Sequence, residues 1–209
     1  MDGQAADQRT ETLKAKADEI VVRPSTDADA PAMLAIYTRY VTHGLAKGAE
    51  FEPMQAGDIK RRRKNMQKHR LPHLVAELNG VVIGYAYAVP FRKRPAYRYS
   101  VKHSIYVHEN HLRAGAGRML LPALIEACAK SGYRQMIAYV DSENQASLKL
   151  HEACGFRRVA YLEGVGFRFG RWTDSVMLQR ALGAGSSAPP PDYVPVSAGG
   201  VGDVSMESD

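Results

Sequence analysis

The stretch from Ser104 to Gly132 constrains the fold most, because it predicts a strand, a glycine-spaced loop and a helix in direct succession. Its first part, Ile105–Val107, is β-branched and aromatic, which favours a strand. The loop reads Arg-Ala-Gly-Ala-Gly-Arg over residues 113–118, and an amphipathic pattern follows it. Unpaired N–H groups and the helix dipole make such a helix start an anion site. A plain turn is an equally good interpretation of Gly-x-Gly taken alone.

Length and composition predict one domain with polar tails. The chain has 209 residues, of which 45% are hydrophobic and 24% charged. We expect a flexible leader over 1–19, the domain over 20–182, and a disordered acidic Gly/Ser/Pro tail over 183–209. No apolar run approaches the roughly 20 residues that span a bilayer, and the N-terminus lacks the apolar segment of a secretory signal. The sequence therefore predicts no membrane partner.

The two cysteines and the charge narrow the class of protein further. Cys128 and Cys154 lack the spacing of metal ligands, so we expect reduced thiols, no metal and a cytoplasmic location. A net charge of +6 suits an anionic ligand. The basic run over 60–64 is either a nucleic-acid patch or the solvated face of a helix. We favour the solvated face and expect no nucleic-acid partner, since only Ile59 and Met66 beside it look core-directed.

The order of predicted elements is βααβββαβαββ. Asn79-Gly80 favours a type I′ hairpin, and residues 26–29 have the form of a capping box. A strand is predicted over 97–107, and two final strands over 157–163 and 173–179 with a loop over 164–170. An antiparallel front followed by helical crossovers predicts an α/β (α+β) fold, a central mixed sheet with helices on both faces.

Several motifs, in the same order along the chain, resemble the GCN5-related N-acetyltransferases (GNAT) of the phosphinothricin acetyltransferase-like branch. The resemblance covers residues 20–182 and implies the GNAT fold. The motifs are the loop over 113–118, the segments 84–98 and 101–107, the Asn-x-Ala-Ser-x-x-Leu-His-x-x-x-Gly-Phe segment over 144–156, the segment 165–174, and the pairs Ile36-Tyr37 and Phe51-Glu52.

The resemblance implies acetyl transfer from acetyl-CoA to a primary amine in a ternary complex. It places the pantetheine arm along a strand edge and the pyrophosphate on backbone N–H groups of the loop. The residues so implied are Ile105, Tyr106 and Val107 on the strand, and Arg113, Ala114, Gly115, Ala116, Gly117 and Arg118 in the loop. A backbone N–H on the strand would polarise the thioester carbonyl.

Two residues of the next helix are assigned from the same resemblance. Asn144 would hydrogen-bond the pantetheine amides, with Ser147 one turn further along the same helix. The alternative is that Asn144 serves only as the N-cap of that helix. His151 stands where many relatives carry a tyrosine that protonates the departing thiolate. An imidazole can donate that proton near neutral pH, and a buried structural histidine is the alternative.

Lys102 departs from the family pattern, which usually has a glutamate that accepts the proton of the amine. A lysine cannot do so unless its pKa falls from about 10.4 to about 7. Lys102 could instead lower the pKa of the substrate amine or bind a substrate carboxylate. His103 is a substitute base, although strict alternation points it to the opposite face of the strand.

The acceptor implied by the resemblance is a small amino-acid analogue such as phosphinothricin or methionine sulfoximine. Candidate walls of its site are Tyr37, Phe51, Tyr97 and Trp172, and Arg92 and Arg94 are candidate anion clamps. Solvent or a CoA phosphate is the alternative partner of the two arginines. The resemblance also implies a homodimer. A competing hypothesis is an acyl-CoA-binding protein whose catalysis is impaired by Lys102.

Overall fold

The computed structural model describes residues 20–42, 55–168 and 170–190, and in them seven strands and four helices. The strands are β1 (Ile20–Pro24), β2 (His73–Leu78), β3 (Val81–Pro90), β4 (Ser100–Val107), β5 (Gln135–Asp141), β6 (Arg157–Arg168) and β7 (Arg171–Ala181). The helices are α1 (Ala30–Thr42), α2 (Ala56–Lys68), α3 (Ala116–Lys130) and α4 (Gln145–Ala153). The predicted order of elements is confirmed.

All seven strands form one mixed sheet in the order β1-β2-β3-β4-β5-β7-β6. Neighbouring strands are antiparallel except β4 and β5, which are parallel and joined by a crossover through α3. The predicted α/β fold with a mixed central sheet is therefore confirmed. The hairpin turn is confirmed as well, with φ of 50° at Asn79 and 80° at Gly80, as a type I′ turn requires.

The parallel pairing of β4 with β5 is short. It covers Ser100–Lys102 on β4 and residues 135–137 on β5, although the strands continue to Val107 and Asp141. Beyond Lys102 the two strands separate, and the facing edges of their backbones are left without a strand partner. We call this opening the β4–β5 cleft, lined by residues 103–107 and 138–141.

The two faces of the sheet carry different side chains. The register pairs Tyr85 with Tyr106 and Tyr87 with Ser104, so these rings share one face, on which Tyr106 also contacts Tyr37 and Tyr40 of α1. Gly84 lies on the other face, against α3. A Cβ at Gly84 would lie 2.9 Å from the Tyr106 carbonyl oxygen and 3.2 Å from a Leu120 methyl carbon, so the absence of a side chain permits this close packing.

The core lies mainly between the sheet and α3. The apolar stripe of that helix is fully buried, which explains its amphipathic sequence. Each fully buried leucine of this stripe contributes about 1.5–3 kcal/mol to the stability of the fold. The buried residues of this stripe are Ala116, Leu120, Leu121, Leu124, Ile125 and Cys128.

The start of α1 follows the predicted capping box. The Thr26 N–H donates to Asp29 Oδ2 at 2.6 Å, and a 3₁₀ turn over Asp27–Asp29 precedes the α-helix. Arg23 forms an ion pair with Asp29 and, with burial opposing, lowers the pKa of that carboxyl to about 2. The cap is thus fixed by a charged contact between β1 and the helix.

Three details of the predictions are wrong. The loop predicted over 164–170 is mostly strand, because the β6–β7 ladder continues through Gly166 opposite Thr173 and Phe167 opposite Trp172. The strand predicted from residue 97 begins at Ser100, after a 3₁₀ turn. Within the basic run 60–64, Arg63 is buried and hydrogen-bonds Asp27 and the Ser25 carbonyl, so the run is not wholly a solvated face.

The boundaries predicted at residues 19/20 and 182/183 stay predictions. Residues 1–19 and 191–209 lie outside the described ranges. Residues 183–190 pack as turns, where Arg134 donates to the carbonyl oxygens of Gly185 and Ala188 at 3.0 and 2.8 Å. Among the helices that the structure describes, none has the length and apolar character to cross a bilayer.

Candidate active site

The loop before α3 has the backbone of an anion site. Gly115 caps the helix with φ of 104°, and Arg113 also has a positive φ, 65°. The N–H groups of Ala116, Gly117 and Arg118 head the helix, where a helix leaves its first donors without an intrahelical acceptor. The Ala114 N–H differs from these, since it donates to the His111 carbonyl at 3.2 Å. Arg113 and Arg118 are exposed and add positive charge.

The second glycine of the loop has a packing role as well. A Cβ at Gly117 would lie 3.1 Å from a Leu150 methyl carbon of α4. The small residue thus lets α3 and α4 approach each other beside the helix start. This contact between the two helices was not predicted from the sequence.

The edge of β4 presents backbone donors to the cleft. The His108 N–H donates to Ile83 of β3, whereas the Val107 N–H donates to the Tyr40 hydroxyl at 3.3 Å. Because successive N–H groups of a strand point to opposite edges, the Ile105 N–H points the same way as that of Val107, into the cleft. The Tyr40 hydroxyl therefore accepts from one of these two backbone donors.

Asn144 and Ser147 lie at the start of α4. The Asn144 side-chain oxygen accepts from the Ser147 N–H at 3.0 Å, so Asn144 is the N-cap. Its amide NH₂ remains as a donor, because the cap uses only the oxygen. Both residues are half-buried.

His103 and His151 are brought together from β4 and α4. Their Nε2 atoms are 3.0 Å apart, and the exposed fractions of the two residues are 8% and 2%. The second ring nitrogen of His151, Nδ1, lies 2.7 Å from the Ser147 carbonyl oxygen and 3.4 Å from its hydroxyl. The Phe156 ring packs against both imidazoles, at centroid distances of 5.4 and 5.2 Å.

Burial favours the neutral form of both imidazoles by lowering the pKa of each. It lowers the pKa of His103 to about 3, and the neighbouring His151 lowers it further in the same direction. Burial also lowers the pKa of His151, against the opposing effect of the Ser147 backbone. A charged imidazole in such a site would lose its hydration without gaining an opposite charge.

Lys102 points to the opposite face from His103, as alternation predicts, and its side chain is exposed. Among the described residues it has no hydrogen-bond or ion-pair partner, and Val89 is its neighbour across the β3–β4 ladder. No carboxylate from the described part of the chain is paired with it where the family pattern has a glutamate.

The candidate acceptor residues are spread along this face. Arg92 lies over the Phe91 and Tyr97 rings, 5.3 Å from each centroid, in the connection between β3 and β4. Tyr37 contacts Tyr106, which is about 13 Å along β4 from Lys102 at the usual rise per residue. Arg94 is exposed beside the 3₁₀ turn.

The remaining two candidates do not join this group. Trp172 is 68% exposed and contacts Phe167 at the end of the β6–β7 hairpin. Phe51 lies outside the described residues. In the part of the chain that the structure describes, no group of three or more His, Cys, Asp or Glu side chains could hold a metal ion.

An aromatic cluster on the Lys102 face was not identified from the sequence. Tyr85 stacks on Tyr106 at 4.9 Å, and His73 stacks on Tyr87 at 5.4 Å. The Arg62 guanidinium lies over Tyr87 and donates to its hydroxyl at 3.2 Å. Strict alternation of aromatic residues in β3 was the signal that could have revealed it.

Comparisons with known proteins agree with this geometry. The sequence model of the acetyltransferase (GNAT) family matches residues 32–156. Phosphinothricin N-acetyltransferase of Alcaligenes faecalis is 44% identical over 170 residues, covering 81% of this chain and 86% of that protein. L-methionine sulfoximine/L-methionine sulfone acetyltransferase of Salmonella typhimurium is 37% identical over 166 residues, covering 78% and 95%.

A solved structure of similar fold supports the same assignment. The GNAT superfamily phosphinothricin acetyltransferase of Sinorhizobium meliloti, solved in complex with acetyl-CoA, superposes with a TM-score of 0.79 at 35% identity. The match covers 86% of this chain and 97% of that one. With the open β4–β5 cleft, the glycine-capped helix beside it and a family match over more than half its length, the chain belongs to the acetyltransferase (GNAT) family.

Proposed function

We propose that the protein transfers the acetyl group of acetyl-CoA to the primary amine of a small amino-acid-like substrate, by direct attack in a ternary complex. One observation carries the proposal: the cleft between β4 and β5 runs from Lys102 and His103 towards the glycine-capped start of α3. The thioester and the phosphates of acetyl-CoA would thereby share one continuous binding site. The relatives named phosphinothricin and methionine sulfoximine acetyltransferases support the same substrate class.

The acetyl-CoA side of the site would act mainly through backbone groups. The Ile105 N–H, which points into the cleft, is the donor that would polarise the thioester carbonyl, a contribution of about 3–4 kcal/mol in related oxyanion sites. The N–H groups of Ala116, Gly117 and Arg118 would hold the pyrophosphate. Asn144, through its remaining amide donors, and Ser147 would bind the pantetheine arm.

The proton for the departing thiolate is assigned to His151. Both ring nitrogens of His151 are engaged, by His103 and by the Ser147 carbonyl. Delivery of a proton therefore requires one of these contacts to open, and the donor is the protonated form of His151, because a neutral imidazole is too weak an acid to protonate a thiolate. His103 is not the base of this proposal, because its Nδ1 is buried and its Nε2 is bonded to His151.

The acceptor side would use exposed side chains. Lys102 and Arg92 present positive charge on the face opposite the histidine pair, which suits an acceptor that carries a carboxylate or phosphinate. Lys102 would also lower the pKa of a nearby substrate amine by charge repulsion, which increases its neutral, nucleophilic fraction. Tyr37 and Tyr97 are the described aromatic walls of this proposal.

A second candidate function is acyl-CoA binding without efficient transfer. The observation that favours it is Lys102 itself, which stands without a paired carboxylate among the described residues. General base catalysis typically contributes 10²–10⁴-fold, so its loss would leave slow transfer supported by positioning alone. The protein would then serve as a sensor or binding module.

The assembly and location are part of the same proposal. Edge strand β6 and its neighbour β7 expose a row of large apolar side chains, namely Val159, Tyr161, Val165, Phe167 and Trp172. Exposed apolar patches of this kind mark interaction sites, and we assign this one to a homodimer contact. A cytoplasmic location agrees with the two free thiols, Cys128 and Cys154.

Two measurements, one of binding and one of turnover, test the proposed function. Isothermal titration with acetyl-CoA must show binding, and a thiol-release assay over a panel of amines must show turnover with at least one amino-acid analogue. Binding without release from any amine would leave the second candidate in place. Absence of acetyl-CoA binding would overturn both.

A further inference from the structure

The histidine pair occupies the first position of the cleft. His103 follows directly after Lys102, the last β4 residue paired with β5, and its ring reaches His151 on α4. Phe156 packs against both rings, and the Ile137 backbone lies near His103. No carboxylate and no cationic side chain in the described ranges hydrogen-bonds either ring, so the polar contacts of the pair are with each other and with the backbone.

The hydrogen positions follow from the partners. The Ser147 carbonyl oxygen can only accept, so His151 Nδ1, at 2.7 Å, carries a hydrogen. In the neutral ring Nε2 is then an acceptor, and His103 Nε2 must be the donor at 3.0 Å. His103 Nδ1 is left as a buried acceptor without a hydrogen-bond partner among the described residues.

We infer that His103 is a positioning residue, whose Nε2–H fixes His151 in the Nδ1–H tautomer and holds its ring against Ser147. This inference rests on the proposed function, in which His151 handles the proton of the thiolate. The Nδ1 proton is thereby turned towards the side of α4 where the Ser147 hydroxyl also approaches, at 3.4 Å. The other nitrogen, Nε2, is occupied by His103.

The arrangement has a specific consequence for the charge of His151. The His103 donor stabilises only the neutral form of His151, because a protonated Nε2 has no lone pair to accept it. Removing that donor favours protonation of His151. His103 therefore sets the pH range in which His151 is neutral, in addition to orienting its ring.

The first test observes the tautomers directly. Two-dimensional ¹H–¹⁵N spectra of imidazole ¹⁵N-labelled wild-type protein at pH 7 are expected to show His151 as the Nδ1–H tautomer and His103 as the Nε2–H tautomer. His151 in the Nε2–H form, or as an imidazolium, would overturn the inference. This measurement needs no turnover, so it decides the inference even where no amine is acetylated.

The second test separates positioning from mere packing. In His103→Leu the alkaline limb of the kcat–pH profile should move up by about one pH unit, because loss of the donor to neutral His151 favours the protonated form that donates to the thiolate. His103→Gln, whose amide can donate from a similar position, should restore the wild-type limb. An unmoved limb in His103→Leu would contradict the inference, as would a His103→Gln limb shifted as far as that of the leucine variant.

A matched control comes from His73, another buried histidine whose Nδ1 has no described partner. It stacks on Tyr85 and Tyr87 and does not contact His151. His73→Gln should lower stability and leave the alkaline limb in place. If it shifts the limb as His103→Leu does, the effect is general destabilisation and the inference fails. Should His103→Leu not fold, His103→Gln and the tautomer spectra still decide.

Discussion

Lys102 and His103 are neighbours in β4 and belong to opposite environments. The lysine side chain is exposed and without a described partner, whereas the histidine is 8% exposed and bonded to a second histidine. Strand alternation alone separates them. The comparison teaches that one strand presents a charged side chain on its exposed face and a histidine pair on its buried face, and the proposed function assigns the acceptor to the first and the proton of the leaving group to the second.

The largest effect on activity is expected from a change at Lys102, on the exposed face of β4. Lys102→Glu would supply the carboxylate that the family pattern has, and kcat/KM for an amino-acid analogue should rise by about 10²–10⁴-fold. Steady-state thiol release measures it. Lys102→Gln removes the charge without supplying a base, and it should give little of this gain. An equal gain in both variants would show that the lysine charge, not the missing base, limits the rate.

The buried histidines predict a loss of stability in acid. Burial lowers the pKa of His103 to about 3 and of His73 to about 4, so the folded protein stays neutral at these sites when the unfolded chain binds protons below pH 6.5. Their contribution is complete above pH 6.5 and falls by about 1.4 kcal/mol per pH unit per histidine as pH drops towards the folded pKa.

Urea unfolding measures this dependence. The free energy of unfolding should fall by about 4 kcal/mol between pH 7 and pH 5 from the two residues together. His73→Phe should remove about half of that slope and keep the ring stacked in the aromatic cluster. A pH-independent free energy over this range would show that the two rings are not held neutral in the folded state.

Packing on the buried face gives the next effect. Leu120 is fully buried between α3 and the sheet, and Leu120→Ala should cost about 3 kcal/mol in unfolding free energy. Leu112, just before the same helix, is 53% exposed, and Leu112→Ala should change the free energy of unfolding by less than about 0.5 kcal/mol. Equal costs for the two variants would contradict the assigned core.

The smallest effect concerns the helix start. Gly117→Ala places a Cβ 3.1 Å from a Leu150 methyl carbon and beside the proposed phosphate site, so acetyl-CoA affinity should fall about tenfold, or about 1.4 kcal/mol. Gly57→Ala is the matched control, since nothing lies within 4 Å of its Cβ position. Isothermal titration compares the two, and unchanged affinity in Gly117→Ala would remove this helix start from the binding site.

The sequence predicted those parts of the site that depend on backbone conformation. The strand before residue 108, the glycine cap of α3 and the N-cap at Asn144 follow from local rules, because β-branched runs, positive φ and capping act within a few residues. The separation of Lys102 from His103 followed from alternation in the same way.

Contacts between distant elements were beyond local rules. The His103–His151 contact joins residues 48 positions apart, and the Tyr40–Val107 bond joins residues 67 positions apart. Both depend on how helices pack on the sheet. The β6–β7 pairing at residues 166–168 was missed for a different reason, since the glycines of this segment suggested a turn while cross-strand pairing kept the chain extended.

The most direct test of acetyl transfer uses acetyl-CoA labelled with ¹³C in the acetyl group. Wild-type protein is incubated with it and phosphinothricin or methionine sulfoximine, and the acceptor is analysed by mass spectrometry and NMR. We expect one labelled acetyl group on the amine nitrogen for each CoA released. Release of CoA with labelled acetate and no N-acetyl product, or binding of acetyl-CoA with no release for any amine, would contradict the proposed acetyl transfer.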